Sequence, residues 1–193
     1  MCLKQPQREL ILASASPRRR ELLDSVGLRY TVDVSSADED FIGPPEEMVL
    51  SLSERKAKSV AVRHPSGLII AADTTVAIDG KNLGKPKDRA DAEAMLRELS
   101  GRWHTVFTGV CFLCPEKDRM RKALAETRVH FLALTKEELQ AYLDSDEPYD
   151  KAGAYAIQGA AGAFIDRIEG SYSNVVGLPL HTVLSMLRDF ESE

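Results

Sequence analysis

The order of apolar and polar residues predicts alternating strands and helices from the start of the chain. Residues 10–13 form a short apolar run that is typical of a strand, and Ser16 and Pro17 then open a helix that Gly27 ends. Residues 68–72 are apolar without alternation, which is typical of a strand buried on both faces, and we expect this strand to end at Asp73. The pattern indicates an α/β fold.

The same signals of periodicity, caps and turns predict the remaining elements. They are a strand at 29–34, a helix at 45–62, a hairpin turn at Asp79-Gly80, a helix at 89–99, hairpin strands at 105–113 and 123–134, a helix at 135–143, a strand near 163–168 and a last helix at 180–190. Together they predict a mixed α/β sheet flanked by helices. We expect residues 1–193 to form a single domain, with roughly the first eight residues as a flexible arm.

Composition limits the class of protein and its partners. With 44% hydrophobic and 28% charged residues, the sequence is that of an ordinary globular protein, which excludes disordered, collagen-like and coiled-coil chains. No apolar run approaches the ~20 residues of a membrane span, and no secretory signal is present, so we expect a cytoplasmic protein. The net charge is −5, and neither half of the chain is basic. A small anion is therefore a better candidate ligand than a nucleic acid or a membrane.

Three arginines occupy an unfavourable place, the first turn of the first predicted helix. Arg18, Arg19 and Arg20 lie where the positive end of the helix dipole favours acidic residues. An anion bound there by backbone N–H groups, by guanidinium groups and by the hydroxyls of Ser14 and Ser16 would make the arrangement favourable. A solvated basic turn is the alternative.

Three more charged residues lie at unexpected or suggestive positions. Lys56 falls in the apolar stripe of the helix predicted at 45–62, where a buried ammonium needs a counter-charge. The alternative is that its long aliphatic side chain extends far enough for the ammonium to reach water. Asp73 follows a buried strand, which is where α/β sheets tend to place ligands, although a turn cap is the alternative. Lys85 lies in a stiff loop that could return to the same edge of the sheet, or it is simply solvated.

The common sequence motifs of metal sites and of dinucleotide-binding sites are absent or incomplete. Cys111 and Cys114 form a C-x-x-C pair, but no further zinc ligands follow at suitable spacing, and two strand cysteines are the favoured interpretation. The four histidines have no ligand spacing, and neither the glycine-rich dinucleotide motif nor the P-loop occurs.

Several short motifs share their order and spacing with one protein family. They are Ser14-Ala15-Ser16-Pro17-Arg18-Arg19, Lys56-Ala57, Ala72-Asp73-Thr74, Gly84-Lys85-Pro86, Ser100-Gly101 with His104, Thr108-Gly109-Val110, Asp146-Glu147-Pro148 to Gln158-Gly159, and Val176-Gly177-Leu178-Pro179. Over roughly residues 10–187 the chain resembles the Maf family of nucleoside triphosphate pyrophosphatases. The stretch 150–159 is similar to the branch that acts on dTTP and UTP.

The resemblance implies a fold like that of the inosine-triphosphate pyrophosphatases, a mixed sheet with two lobes around a cleft. It implies hydrolysis of dTTP and UTP to the monophosphate and pyrophosphate, a divalent metal ion (Mg²⁺ first, with Mn²⁺ or Co²⁺ as alternatives) and a homodimer. A non-catalytic nucleotide sensor that regulates cell division, and a pyrophosphatase for another or a modified base, stay open as alternatives.

The resemblance also implies roles for particular residues. Asp73 would accept a proton, and Arg18, Lys56 and Lys85 would act with it in catalysis. Glu39 and Asp73 would bind the metal. The expected substrate-binding residues are Ser14, Ser16, Arg19, Thr74 and Gln158.

Overall fold

One mixed sheet organises the molecule, for which the computed structural model describes residues 5–191. Its strand order is β2-β1-β3-β5-β6-β7, with β4 paired to β3, and only the β1 pairings are parallel. The strands are β1 Leu10–Leu12, β2 Thr31–Val32, β3 Leu68–Ile78, β4 Lys81–Leu83, β5 Trp103–Cys114, β6 Arg119–Phe131 and β7 Ile165–Glu169. The predicted mixed α/β fold is confirmed.

Within residues 5–191, six α-helices flank this sheet. They are α1 Pro17–Ser25, α2 Pro45–Ala61, α3 Arg89–Leu99, α4 Lys136–Leu143, α5 Tyr172–Val176 and α6 Leu180–Glu191. Short 3-10 helices occur at Pro115–Lys117, Glu147–Asp150, Ala152–Ala154 and Ala160–Phe164. Among residues 5–191, no helix combines the length and apolar character needed to cross a membrane.

Strand β3 is the centre of the fold, and it differs from the prediction. It does not end at Asp73, because antiparallel pairing with β5 continues through Asp73 as far as Ala77. The other edge of β3 pairs with β1 over residues 68–70 and with β4 over residues 76–78. Within the described chain, residues 71–75 therefore have no strand neighbour on that edge, and the sheet has a gap there.

The residues of β3 that point to one face of the sheet pack in two separate core clusters, one for each lobe. Leu68 and Ile70 pack in a cluster with residues of α1 and α6. Val76 and Ile78 point to the same face but pack in a second cluster with residues of α3 and α4. Thr74 lies between the two clusters. The expected two lobes are present, and the gap in the sheet lies between them.

Helix α2 covers the opposite face and follows its sequence signals closely. It begins with Pro45 at its first position, with acidic residues in the first turn, and ends just before His64 and Pro65. Across the sheet, Gly109 allows it a close approach, because a Cβ at this position would lie 2.3 Å from the carbonyl oxygen of Val49. A glycine on β5 thus sets the distance between α2 and the sheet.

Several other boundaries needed correction. The strand predicted at 29–34 is limited to two residues, and the hairpin strands are longer than predicted, with a turn of only a few residues between them. Charged residues such as Arg121 and Lys122 suggested a loop, but both are exposed near the start of β6, where they point to opposite faces of the sheet, and Lys122 pairs with Glu54 of α2 (2.6 Å). Helix α5 was not predicted. The predicted helices at 89–99, 135–143 and 180–190 are confirmed, and a capping box at Thr135 opens α4.

The expected N-terminal arm lies partly outside the described residues, which begin at Gln5. The Gln5 side chain donates a hydrogen bond to the carbonyl oxygen of Gly27 (2.7 Å), and Arg8 pairs with Glu116 (3.1 Å). The expectation of a single domain stays a prediction.

Candidate active site

A cleft of about 650 Å³ lies beside the gap in the sheet. It is bordered by the loop after β1, the start of α1, the inner face of α2, the loop after β4 and the segment that precedes β7. All the residues predicted for the site line it: Ser14, Ser16, Arg18, Arg19, Glu39, Lys56, Asp73, Thr74, Lys85 and Gln158. The fold thus brings together residues that are up to 144 positions apart, since they run from 14 to 158.

Lys56 lies between two carboxylates at the centre of the cleft. Its Nζ is 2.6 Å from Oδ1 of Asp73 and 3.0 Å from Oε1 of Glu39. The side chains of Lys56 and Asp73 are each only 12% exposed, whereas that of Glu39 is 65% exposed. The lysine in an apolar stripe therefore has the counter-charge that its position requires. Gly109, which pairs with Asp73 in the sheet, permits the close packing of α2 that brings these groups together.

Arg19 is held by one nearby group and by groups from two distant parts of the chain. Its Nε donates to the carbonyl oxygen of Gly177 (2.8 Å), while its Nη1 and Nη2 donate to Ser14 Oγ and Thr74 Oγ1 (both 3.1 Å). Burial lowers the pKa of the guanidinium from its usual value, and the Asp73 carboxylate opposes that effect. Since a guanidinium stays protonated in proteins, Arg19 is a fixed positive charge.

The start of α1 is not capped by its own side chains. Ser16 occupies the cap position as predicted, but its side chain makes no capping hydrogen bond, and the first turn holds no acidic residue. Arg18 approaches Asp150 across the cleft at 3.8 Å, whereas Arg20 is exposed and does not line the cleft. The solvated-turn interpretation thus fits Arg20 alone. The positive helix end, with Arg18 and Arg19, is suited to an anion.

Sequence reasoning missed the network that supports Arg19. The side-chain amide of Asn174 is fully buried and donates to the Val106 carbonyl oxygen (3.1 Å) and to Thr127 Oγ1 (3.0 Å). These hydrogen bonds hold α5 against the sheet. Gly177 directly follows α5, and its carbonyl oxygen accepts the hydrogen bond from Arg19. The only local signal for α5 was Ser171, which caps it by accepting from the Asn174 N–H (3.3 Å).

Two of the carboxylates that line the cleft, Glu39 and Asp73, converge on Lys56 and are the candidate metal donors, whereas Asp150 pairs with Lys151 and Arg18. Within residues 5–191, no three His, Cys, Asp or Glu residues are grouped so as to hold a metal ion. Mg²⁺ usually binds through one or two carboxylates together with waters and substrate phosphates, so Glu39 and Asp73 fit an ion that binds with a triphosphate. Cys111 and Cys114 are buried in β5 as expected, and burial raises the pKa of the Cys111 thiol to about 12, which disfavours a thiolate ligand.

The chain matches known proteins over nearly its whole length. The family model described as Maf-like protein matches residues 9–190, which is nearly the whole chain. The chain belongs to the Maf family. This Maf protein is 50% identical to a dTTP/UTP pyrophosphatase of Symbiobacterium thermophilum, with 95% of this chain and 94% of that protein covered. It is 47% identical to a dTTP/UTP pyrophosphatase of Pelotomaculum thermopropionicum, with 95% and 97% covered.

A solved structure of a HAM1 protein from Coxiella burnetii is a distant match to this Maf protein. The TM-score is 0.49 at 14% identity, with 93% of this chain and 100% of that chain covered. At this distance the match says nothing about function. The assignment to the family rests on the family model and the close relatives.

Proposed function

We propose that this Maf protein hydrolyses dTTP and UTP to the nucleoside monophosphate and pyrophosphate. The observation that carries the proposal is the Asp73 carboxylate in a cleft whose other charged groups are mainly cations. A site that only bound phosphate would not need a carboxylate at its centre, because the carboxylate repels the ligand. A site that activates water at a phosphate needs both kinds of group.

Arg18, Arg19, Lys56 and Lys85 bind the triphosphate in this proposal. The substrate brings about four negative charges, and cations in a partly buried cleft neutralise such charge far better than water-exposed ones do. The uncapped N–H groups at the start of α1, with the hydroxyls of Ser14, Ser16 and Thr74, add hydrogen bonds to phosphate oxygens.

Asp73 accepts a proton from the attacking water. The water oxygen forms a bond to the α-phosphorus, the bond from that phosphorus to the bridging oxygen breaks, and pyrophosphate leaves with its charge stabilised by Lys85 and Arg18. Lys56 bonds to both Asp73 and Glu39 and so fixes their orientation toward the phosphates. A divalent ion held by Glu39 and Asp73, Mg²⁺ or else Mn²⁺ or Co²⁺, would supply charge neutralisation and a more acidic water.

Gln158 selects the base. Its side-chain amide offers an acceptor for the N3–H of uracil or thymine and a donor for a ring carbonyl oxygen. A purine carries its donors and acceptors at a different distance from the sugar, so in a site shaped for a pyrimidine it would leave these groups unpaired, which costs about 1 to 3 kcal/mol for each lost partner. A homodimer and a cytoplasmic location stay predictions.

The test is an assay of pyrophosphate and phosphate release over dTTP, UTP, ATP and GTP with Mg²⁺. We expect pyrophosphate rather than phosphate, and the highest kcat/KM with dTTP and UTP. Tight nucleotide binding without turnover would favour the non-catalytic sensor. A preference for another base would favour the alternative pyrophosphatase.

A further inference from the structure

Glu147 is half-buried beside the cleft, at the start of the 3-10 helix Glu147–Asp150, and is not one of the residues that line the cleft. Its carboxylate accepts hydrogen bonds from the backbone N–H groups of Ala160 (3.0 Å) and Ala161 (3.3 Å). These two residues follow Gln158 in the chain. We call residues 156–161 the Gln158 loop.

Tyr142 connects the same carboxylate to the other side of the loop. The phenol donates to Oε1 of Glu147 at 2.8 Å, and its oxygen accepts from the backbone N–H of Ala156 at 3.4 Å. Burial and the neighbouring Glu147 carboxylate raise the pKa of the phenol, so it stays protonated and keeps donating. One carboxylate and one phenol therefore bind the loop on both sides of Gln158.

The loop also closes tightly over the carboxylate. A Cβ at Gly159 would lie 2.2 Å from Oε2 of Glu147, so a side chain at this position requires the loop or the carboxylate to move. The loop sequence Ala156-Ile157-Gln158-Gly159-Ala160-Ala161 is rich in small residues, which restrict the backbone little by themselves. Backbone hydrogen bonds from Gly159 to Ala156 and from Gly162 to Gly159 (both 3.0 Å) order the segment locally, and the Glu147 carboxylate ties it to the rest of the lobe. Hydrogen bonds to a carboxylate are stronger than those between neutral groups.

We propose that Glu147 is a positioning residue for base selection, acting through the Gln158 loop without touching the nucleotide. The inference rests on the proposed function, because Gln158 must first be the group that reads the pyrimidine. A loop that is already ordered before binding costs less free energy to bind a ligand. Loosening it should therefore weaken pyrimidine binding and selectivity and leave the phosphate-binding residues on α1, α2 and β3 in place.

The test measures kcat and KM for dTTP and dATP in Glu147→Gln, with Glu169→Gln as the matched control. The substitution keeps the size of the side chain but removes the charge and presents an N–H₂ group where an acceptor is needed. Glu169 lies on the edge strand β7 and pairs with Arg128 of β6, and neither residue lines the cleft. We expect KM for dTTP to rise about tenfold, kcat to change less than about threefold, and the preference for dTTP over dATP to fall about tenfold, as loss of one good hydrogen bond would give.

Two further variants keep the inference testable if Glu147→Gln folds poorly. Tyr142→Phe removes only the phenol oxygen and should shift selectivity in the same direction by a smaller factor, whereas Gly159→Ala displaces the loop and should shift it at least as much. Melting temperatures of all variants are measured in parallel.

The outcomes separate the two proposals. A wild-type enzyme that does not prefer dTTP and UTP contradicts the proposed function before any variant is made. If the wild type prefers them but the variants keep its selectivity, or lose activity equally on both nucleotides, Glu147 has only a structural role and the inference is wrong.

Discussion

The two ends of the cleft are built in different ways. At the phosphate end, Arg18, Lys56 and Asp73 lie on α1, α2 and β3, and the hydrogen bonds within these elements fix their backbone. At the base end, Gln158 lies between short 3-10 helices, and side-chain groups of Glu147 and Tyr142 hold the loop. Most of the charges proposed for catalysis thus lie on regular elements, with Glu39 and Lys85 on loops, and they act on phosphates, which every nucleotide has. The proposed selectivity lies on a loop whose shape depends on a few contacts.

Asp73→Asn should have the largest effect and should act on all nucleotides alike. The change is nearly isosteric and keeps an acceptor for Lys56, which is 2.6 Å away, but it removes the basic group and the metal-binding charge. We expect kcat to fall at least about 100-fold, equivalent to about 2.7 kcal/mol in the barrier. Asp79→Asn, in the hairpin turn that follows β3, is the control. Retention of more than about a tenth of kcat would show that Asp73 is neither base nor essential ligand.

Lys85→Ala should have the next largest effect, and Lys87→Ala is its matched control. The two lysines lie in one loop, but only Lys85 lines the cleft. Loss of a charged contact to the leaving pyrophosphate should lower kcat/KM about 10- to 100-fold for dTTP and dATP alike, while Lys87→Ala stays near wild type. Equal losses in the two variants would mean that only the general charge of the loop matters.

Asp33→Asn should have the smallest effect, and on stability rather than on catalysis. Asp33 bonds to Arg63 at 2.7 Å and 2.8 Å and to His64 at 2.8 Å, which ties the loop after β2 to the end of α2. Arg63 and then His64 hold the pKa of Asp33 at about 2, below its usual 3.8. Because the folded-state pKa is lowered, this stabilisation is complete above about pH 5 and is lost as pH falls through 3.8 toward 2.

The measurement is the melting temperature of wild type and Asp33→Asn from pH 7 to pH 2. The difference between the two proteins should be constant above about pH 5 and should shrink toward pH 2. Parallel curves over the whole range would mean that the charge of Asp33 contributes nothing to stability. The loop after β2, which carries Glu39 into the cleft, would then be held by other contacts.

The sequence predicted the phosphate end better than the base end, for a physical reason. Lys56 in an apolar stripe and arginines at a helix start break local rules, and such breaks are visible without a structure. Asp73 lines the cleft, but not because a strand ends there: β3 continues beyond it, and the gap arises where its neighbour β1 stops.

The remaining contacts join parts of the chain that no local pattern connects. Arg19 and Gly177 are 158 positions apart, and the roles expected of Gln158 and Glu39 came from the family resemblance alone. The Glu147 contacts to the Gln158 loop depend on 3-10 helices, which have neither the period of an α-helix nor the alternation of a strand.

The most direct test of the division between the two ends is the ratio of kcat/KM for dTTP to that for dATP in Gln158→Ala and in Lys85→Ala. If the base end selects and the phosphate end catalyses, the ratio falls about tenfold or more in Gln158→Ala, mainly through a worse dTTP value, and stays within about twofold of wild type in Lys85→Ala. An unchanged ratio in Gln158→Ala, or an equal change in both variants, would contradict the account.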